Sequence, residues 1–241
     1  MGTGLIIGHS SCSTYGMPRR PRALGTSDYY HVINRGSVRA RLFYTPGDYD
    51  AFVELLCQAV DRHELALLAY CVLPNHWHLV VRPVNPDQLS RSLHWLTCTH
   101  AIRWCRAHTR RGPGPLYQGR FKSIPVEDDD HLVRLCRYVE RNALKAKLVA
   151  RAEQWRWSSA NQRLQKRPTP SLLSPQFLTN QEGWLEALNV SAPDADIARA
   201  IRHGRPLGTE QWTRTRLKAL GLSESGKRGR PRMSKLDPSL L

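Results

Sequence analysis

Pattern elements in the order βαββαβα predict an α+β fold. The expected architecture is a ferredoxin-like core, an antiparallel sheet with helices on one face, followed by a C-terminal helical and basic extension. Three observations carry that reading. Apolar residues between 29 and 148 switch repeatedly between two-residue and helical spacing. Pro74-Asn75 breaks a long apolar run as a hairpin turn would. Beyond about residue 165 the chain becomes basic and punctuated by Gly and Pro.

Tyr29 to Val38 (YYHVINRGSV) reads as the first strand and closes on a glycine. Thr45-Pro46-Gly47-Asp48 is a helix start, with a cap, a proline in the first turn and an acid behind it. Phe52, Leu55, Leu56, Ala59 and Val60 continue it at helical spacing. Leu65–Leu73 and His76–Arg82 are the two arms of the hairpin. A long helix follows from about Asp87 to His108, with Leu89, Leu93, Leu96 and Trp104 inward. The loop RRGPGP leads to a strand within Tyr117–Val126, and Asp128–Asp130 favour the start of a helix over Leu132–Leu148. Two short helical patterns lie around Asp196 and over Gln211–Leu220. The organisation expected is a disordered arm at 1–26, a core domain at 27–165 and a helical, basic extension at 166–241.

The 241 residues hold 36 Lys and Arg against 20 Asp and Glu, a formal net charge of +16. Such an excess of cations points to a polyanionic partner, nucleic acid before an anionic membrane. No apolar run reaches the roughly 18 residues that cross a bilayer, and the N-terminus lacks a signal-peptide pattern. A cytoplasmic protein with no membrane partner is expected. The six cysteines stand singly, without a CxxC pair, which disfavours a disulfide framework or a zinc ribbon.

His76-Trp77-His78 lies on a predicted strand, so both imidazoles share one face and Trp77 takes the other. Two neighbouring neutral imidazoles make half a divalent-metal site. On the residues alone, two structural histidines remain the alternative. On the last core helix, Leu132, Leu135, Cys136, Val139 and Ala143 form the apolar face. Tyr138 and Asn142 fall roughly 80° to 120° to one side of it, with Arg134 one turn back. A tyrosine covering the edge of the core would satisfy the same geometry.

NHWHLVVRP, with YVERNALKAKLV about 60 residues later, resembles the single-tyrosine HUH transposases, and more narrowly the REP-associated tyrosine transposases of bacteria. YHVINRG, LYQGRFKS, WRWSSA and GRPLG support the resemblance in the same order, over about residues 28 to 232. Glu140-Arg141 stands where relatives often carry other residues. The resemblance implies that His76 and His78 are metal ligands, that Asn142 offers a third, polar ligand, and that Tyr138 is the nucleophile. It implies a site-specific, metal-dependent single-strand DNA endonuclease and strand transferase, working through a 5′-phosphotyrosine. The oxygen-rich substrate suits Mg²⁺ or Mn²⁺.

The expected partner is single-stranded or hairpin repeat DNA, bound by a monomer rather than a dimer. Arg35, Arg120, Lys122, Arg134 and Arg141 are candidates for backbone contacts, and Tyr117 for stacking on a base. Gly229-Arg230-Pro231, flanked by Arg228 and Arg232, resembles an AT-hook suited to a narrow minor groove. A nonspecific basic tail would read the same way. Two rival readings remain. One is a domesticated repeat-DNA-binding protein with weak or lost catalysis. The other is a zinc module using Cys71, His76 and His78, which lacks a fourth soft ligand.

Overall fold

Strands β1 (Tyr29–Arg35), β2 (Ala66–Leu73), β3 (His76–Arg82) and β4 (Lys122–Val126) form one antiparallel sheet in the order β2-β3-β1-β4. That is the ferredoxin-like order, with β3 and β1 at its centre. The computed structural model describes residues 29–108, 114–128, 130–165, 173 and 181–222. The expected arm at 1–26 and the segment holding Arg228, Arg230 and Arg232 lie outside the described residues.

Helices α1 (Pro46–His63) and α2 (Pro86–Ala107) cover one face of the sheet. The α1 start is the expected one. Thr45 accepts a hydrogen bond from the Asp48 amide, and the Asp48 carboxylate accepts one from the Thr45 amide, closing a capping box. Phe52, Leu55, Leu56 and Ala59 of α1 and Leu89, Leu93 and Leu96 of α2 are buried against Tyr30, Val32, Trp77, Leu79 and Val81. The opposite face carries α3 (Asp130–Glu140) and the one-turn α4 (Asn142–Lys145), packed on Leu68, Cys71, Leu73 and Val80.

The described C-terminal helices join this second layer. These are α5 (Ser159–Leu164), α6 (Gln181–Asn189), α7 (Ala195–His203) and α8 (Glu210–Ala219). Trp184, Leu188, Ile197, Ala200 and Leu207 are buried with Leu132, Leu135 and Val139 of α3. The segment Leu207–Thr209 also docks on the sheet. The Leu207 amide donates to the Pro125 carbonyl, and the Glu127 amide donates to the Leu207 carbonyl. The exposed edge of β4 is thereby partly covered.

The helices expected on one face of the sheet cover both, because its strands are apolar on both sides. Helices α5 and α6 are not among the elements expected from the sequence, and two further elements differ in extent. The helix expected over Leu132–Leu148 breaks at Arg141, because the Asn142 side-chain amide donates to the Tyr138 and Val139 carbonyls and competes with helix amides. The strand expected from Tyr117 begins only at Lys122, and Tyr117 makes a single bridge to Gly36.

His100 of α2 lies in the core with Nδ1 2.7 Å from the Tyr117 hydroxyl. Burial holds its pKa at about 4, against an ordinary 6.5, with His108 adding to the depression and Asp48 opposing it. Between those two pH values the unfolded chain binds a proton that the folded chain refuses. The contribution to stability is therefore whole above pH 6.5 and lost as pH falls toward 4, on the order of 3 kcal/mol. The melting midpoint should drop steeply from pH 7 to 4.5. In His100→Gln that drop should be shallower, by about one proton in the pH slope of unfolding free energy.

Candidate active site

The central strand presents its histidines as the two-residue period requires. His78 pairs across β1 with Ile33 and across β2 with Cys71, while His76 pairs with Arg35 and Leu73. His78 is 3% exposed, His76 is half-buried, and their ring centroids are 5.0 Å apart. Each imidazole has one nitrogen held by a neighbour. His76 Nδ1 lies 2.6 Å from Asn75 Oδ1, an oxygen that can only accept. The proton therefore sits on Nδ1, and Nε2 keeps its lone pair. His78 Nδ1 lies 2.9 Å from His31 Nε2, and the two rings stack at 5.1 Å. When His78 donates in that bond, its Nε2 is also left as a free lone pair.

Burial keeps these imidazoles neutral. It lowers His31 to about 3 and His76 to about 4, with Arg35 adding to the effect on His76. His78 lies well below its ordinary value, chiefly through burial and then through His31, His76, Arg35 and Lys145. Neutral rings are the ligating form.

Helix α3 brings Tyr138 to this face, its ring edge-on to His78 at a centroid distance of 6.3 Å. The Lys145 ammonium stands 4.3 Å from the Tyr138 ring centroid and pairs with Asp194 at 2.9 Å. Burial raises the phenol pKa, Asp194 raises it further and Arg35 lowers it. Tyr138 is therefore a phenol at neutral pH. Asn142 is 9% exposed, and its amide nitrogen is committed to the Tyr138 and Val139 carbonyls. Its Oδ1 is the end left for a ligand.

The expected set thus divides. The chain brings together His76, His78, Tyr138 and Arg35, whose charge reaches the other three, and Asn142 lies one turn beyond Tyr138, bonded to its carbonyl. Lys122 shares the cross-strand row of Ile33 and His78, and both it and Arg120 are exposed at the sheet edge. The Arg134 side chain is partly exposed and pairs with Asp196 through two bonds of 2.8 and 2.9 Å. Two expectations are corrected. Arg141 is only 7% exposed, buried at the helix break. Tyr117 is 7% exposed with its hydroxyl between His100 and Trp77, so it offers no ring to a base. Sequence reasoning missed His31, Asn75, Lys145 and Asp194. The histidine inside YHVINRG, two positions from Ile33 on the same strand face, was a usable signal for the first of them.

Two imidazole nitrogens and an amide oxygen suit a divalent ion that keeps open positions for oxygen ligands. Among the described residues, no three His, Cys, Asp or Glu side chains gather as a metal cluster. Cys71, His76 and His78 do not gather as such a cluster, so Cys71 does not complete a zinc site. Burial pushes its thiol up to about 12, with Glu140 adding to the rise.

Comparison with known proteins bears on this arrangement. Residues 26–142 match the family model described as "Transposase IS200 like", a span that holds His76, His78, Tyr138 and Asn142 together. A solved REP-associated tyrosine transposase bound to a REP hairpin is similar at 16% identity and a TM-score of 0.48, over 61% of this chain and 84% of that one. A candidate transposase from Deinococcus radiodurans is similar at 19% identity and a TM-score of 0.37, over 51% and 95%. No curated relative matches the sequence significantly. No described helix is long and apolar enough to cross a membrane.

A buried polar cluster holds the helix that carries Tyr138. Glu140, two residues beyond Tyr138, is fully buried. It accepts from Ser159 at 2.5 Å, Arg163 at 2.9 Å and Trp184 at 2.6 Å. Arg163 also donates to the Leu68 carbonyl of β2. One carboxylate thus ties α3 to α5, α6 and the sheet. Glu140→Ala leaves the buried guanidinium unpaired and should cost about 3–5 kcal/mol. Denaturant titration of the variant should show the midpoint falling, and a loss below about 1 kcal/mol would mean the cluster is not a joint.

Proposed function

We propose that the protein is a metal-dependent endonuclease and strand transferase acting on single-stranded or hairpin repeat DNA, through a 5′-phosphotyrosine on Tyr138. The observation that carries this is the meeting of Tyr138 with His78, which shares its sheet face with His76 and lies near Arg35. The net charge of +16 agrees with a polyanionic substrate.

His76, His78 and Asn142 would hold Mg²⁺ or Mn²⁺, which when bound polarises the scissile phosphate. Asn75 and His31 orient the two imidazoles and fix which nitrogen carries the lone pair. Tyr138 supplies the attacking oxygen. Its Oη forms a bond to phosphorus as the bond to the 3′-oxygen breaks, the phenol loses its proton and the leaving 3′-oxygen gains one. Arg35 lowers the cost of the phenolate and neutralises phosphate charge. The Lys145 ammonium, beneath the ring, acts in the same direction. The phosphotyrosyl bond retains the phosphodiester energy, so a second 3′-hydroxyl can reverse the step and join a new end. Arg120 and Lys122 on the adjoining edge are placed to follow the backbone of the strand.

Tyr138→Phe should abolish nicking of a hairpin substrate while leaving its affinity within a fewfold, as read on denaturing gels and by anisotropy. Residual nicking within tenfold of the parent would remove Tyr138 as nucleophile. His76→Ala and His78→Ala should each lower nicking by orders of magnitude and weaken Mn²⁺ binding in calorimetry. Asn142→Ala should be milder, because water can replace a neutral amide. Full nicking in EDTA would end the metal assignment and, with intact DNA affinity, leave a binding protein.

A further inference from the structure

We propose that α8 reads duplex DNA. Its exposed stripe of Gln211, Arg214, Thr215 and Lys218 enters the major groove of a hairpin stem whose unpaired end runs to Tyr138. The inference rests on the DNA-cleaving reading above and adds a second, separate binding site to it.

The first observation is the helix face itself. Positions 211, 214, 215 and 218 follow the spacing of one helical stripe, and all four side chains are exposed. Arg214, Thr215 and Lys218 line an open groove with Leu222. Of the ten residues in α8, only Leu217 is buried. The stripe pairs two cations with Gln and Thr, the residue types that bond phosphates, guanine, adenine and thymine edges. It carries no aromatic ring, whereas a single-strand groove stacks bases on aromatic platforms. A helix about 10–12 Å across with its side chains matches a major groove about 12 Å wide. Arg214 pairs with Glu210 at 2.6 Å, but both are exposed and one turn apart, so a phosphate can replace that carboxylate.

The second observation is how firmly so bare a helix is mounted. The Thr209 amide and hydroxyl both donate to the Glu127 carboxylate, at 2.6 and 3.3 Å, and the Thr209 hydroxyl accepts from the Trp212 amide. Leu207 forms a parallel bridge to Val126 of β4. A Cβ on Gly208 would meet Glu127 and Trp212 at 2.6 Å, so only glycine permits this contact. The half-buried Trp212 is sandwiched by the Arg216 guanidinium at 5.1 Å. One end of α8 is therefore bolted to the sheet, and the stripe is left to solvent.

The mounting also sets a distance. From β3 through β1 and β4 to the Leu207 segment is three strand spacings, roughly 14 Å. The register places Val126 opposite Tyr29 and His78 opposite Ile33, a further four residues or roughly 14 Å along the strands. The diagonal is about 20 Å. A stem gripped there would end in unpaired DNA at the tyrosine.

The test uses the full chain in EDTA, with two probes: a 12-base-pair DNA hairpin carrying a single-stranded extension, and an unstructured oligonucleotide of equal length. Arg214→Gln with Lys218→Gln should lower the slope of log affinity against log salt by roughly 1.8 on the hairpin and leave it unchanged on the oligonucleotide. Melting curves confirm that each variant is folded. Gln211→Ala with Thr215→Ala, which alters no charge, should keep the slope and erase affinity differences among stems of different sequence. Equal losses on both probes, or no change on the hairpin, overturn the assignment of α8 while the nicking assay leaves the endonuclease reading intact. A parent chain that nicks single strands but binds no hairpin overturns it as well. Failure of both nicking and DNA binding would remove the two readings together.

Discussion

The candidate site depends on the register of β3, and Trp77 sets that register. Its indole is fully buried against α1 and α2, and its Nε1 donates to the Tyr117 hydroxyl at 3.2 Å. A slip of one residue would carry the indole to the α3 face and drive His76 and His78 into an apolar layer. Burying one large side chain on one face thus fixes two imidazoles on the other. The same register sets Arg35 opposite His76, and places His31 within reach of His78. His100 completes the arrangement from behind, because it orders the hydroxyl that receives the Trp77 bond.

The second requirement is that α3 hold its rotation and height over that strand. Apolar packing of Leu132, Leu135, Cys136 and Val139 supplies the contact but tolerates sliding. Glu140 does not. A buried carboxylate with three donors from three directions admits a single placement, and loss of any donor leaves a charge without its solvation. Such a cluster contributes little net stability relative to an apolar substitute and much to uniqueness. It also explains the position of Ser159, Arg163 and Trp184 far along the chain: they are the mates of a residue two places from the tyrosine.

Much of this was legible in the sequence. The period-two run around His76 and the helical run around Tyr138 gave the two carriers, because both lie in strongly patterned apolar segments. The Thr45 cap and the Pro74-Asn75 turn gave the boundaries. What was not legible depends on contacts between distant segments. Arg134 and Arg141 read as surface cations, since nothing local marks Asp196 as the partner of one or the helix break as the burial of the other. Tyr117 read as an exposed ring because the Gly/Pro loop before it hides its return to the core. The pairing of His31 with His78 was within reach of a strand-alignment argument, whereas Lys145 beneath Tyr138 required the break at Arg141.

That break joins the two halves of the molecule electrostatically. With α3 ending at Glu140, the turn at α4 brings the Lys145 ammonium back over the Tyr138 ring, and Asp194, at the start of α7, holds it there. Asp196, two residues on, takes Arg134 from the same helix. The N-terminus of α7 therefore holds Arg134 of α3 and Lys145 of α4, on either side of the tyrosine. Asp194 opposes ionisation of the phenol by its own charge, and favours it by positioning the ammonium. Any displacement of α7 would change both effects together, since a lysine released from Asp194 loses its fixed place over the ring. The C-terminal helices are thus part of the environment of the tyrosine as well as an attachment to the sheet edge.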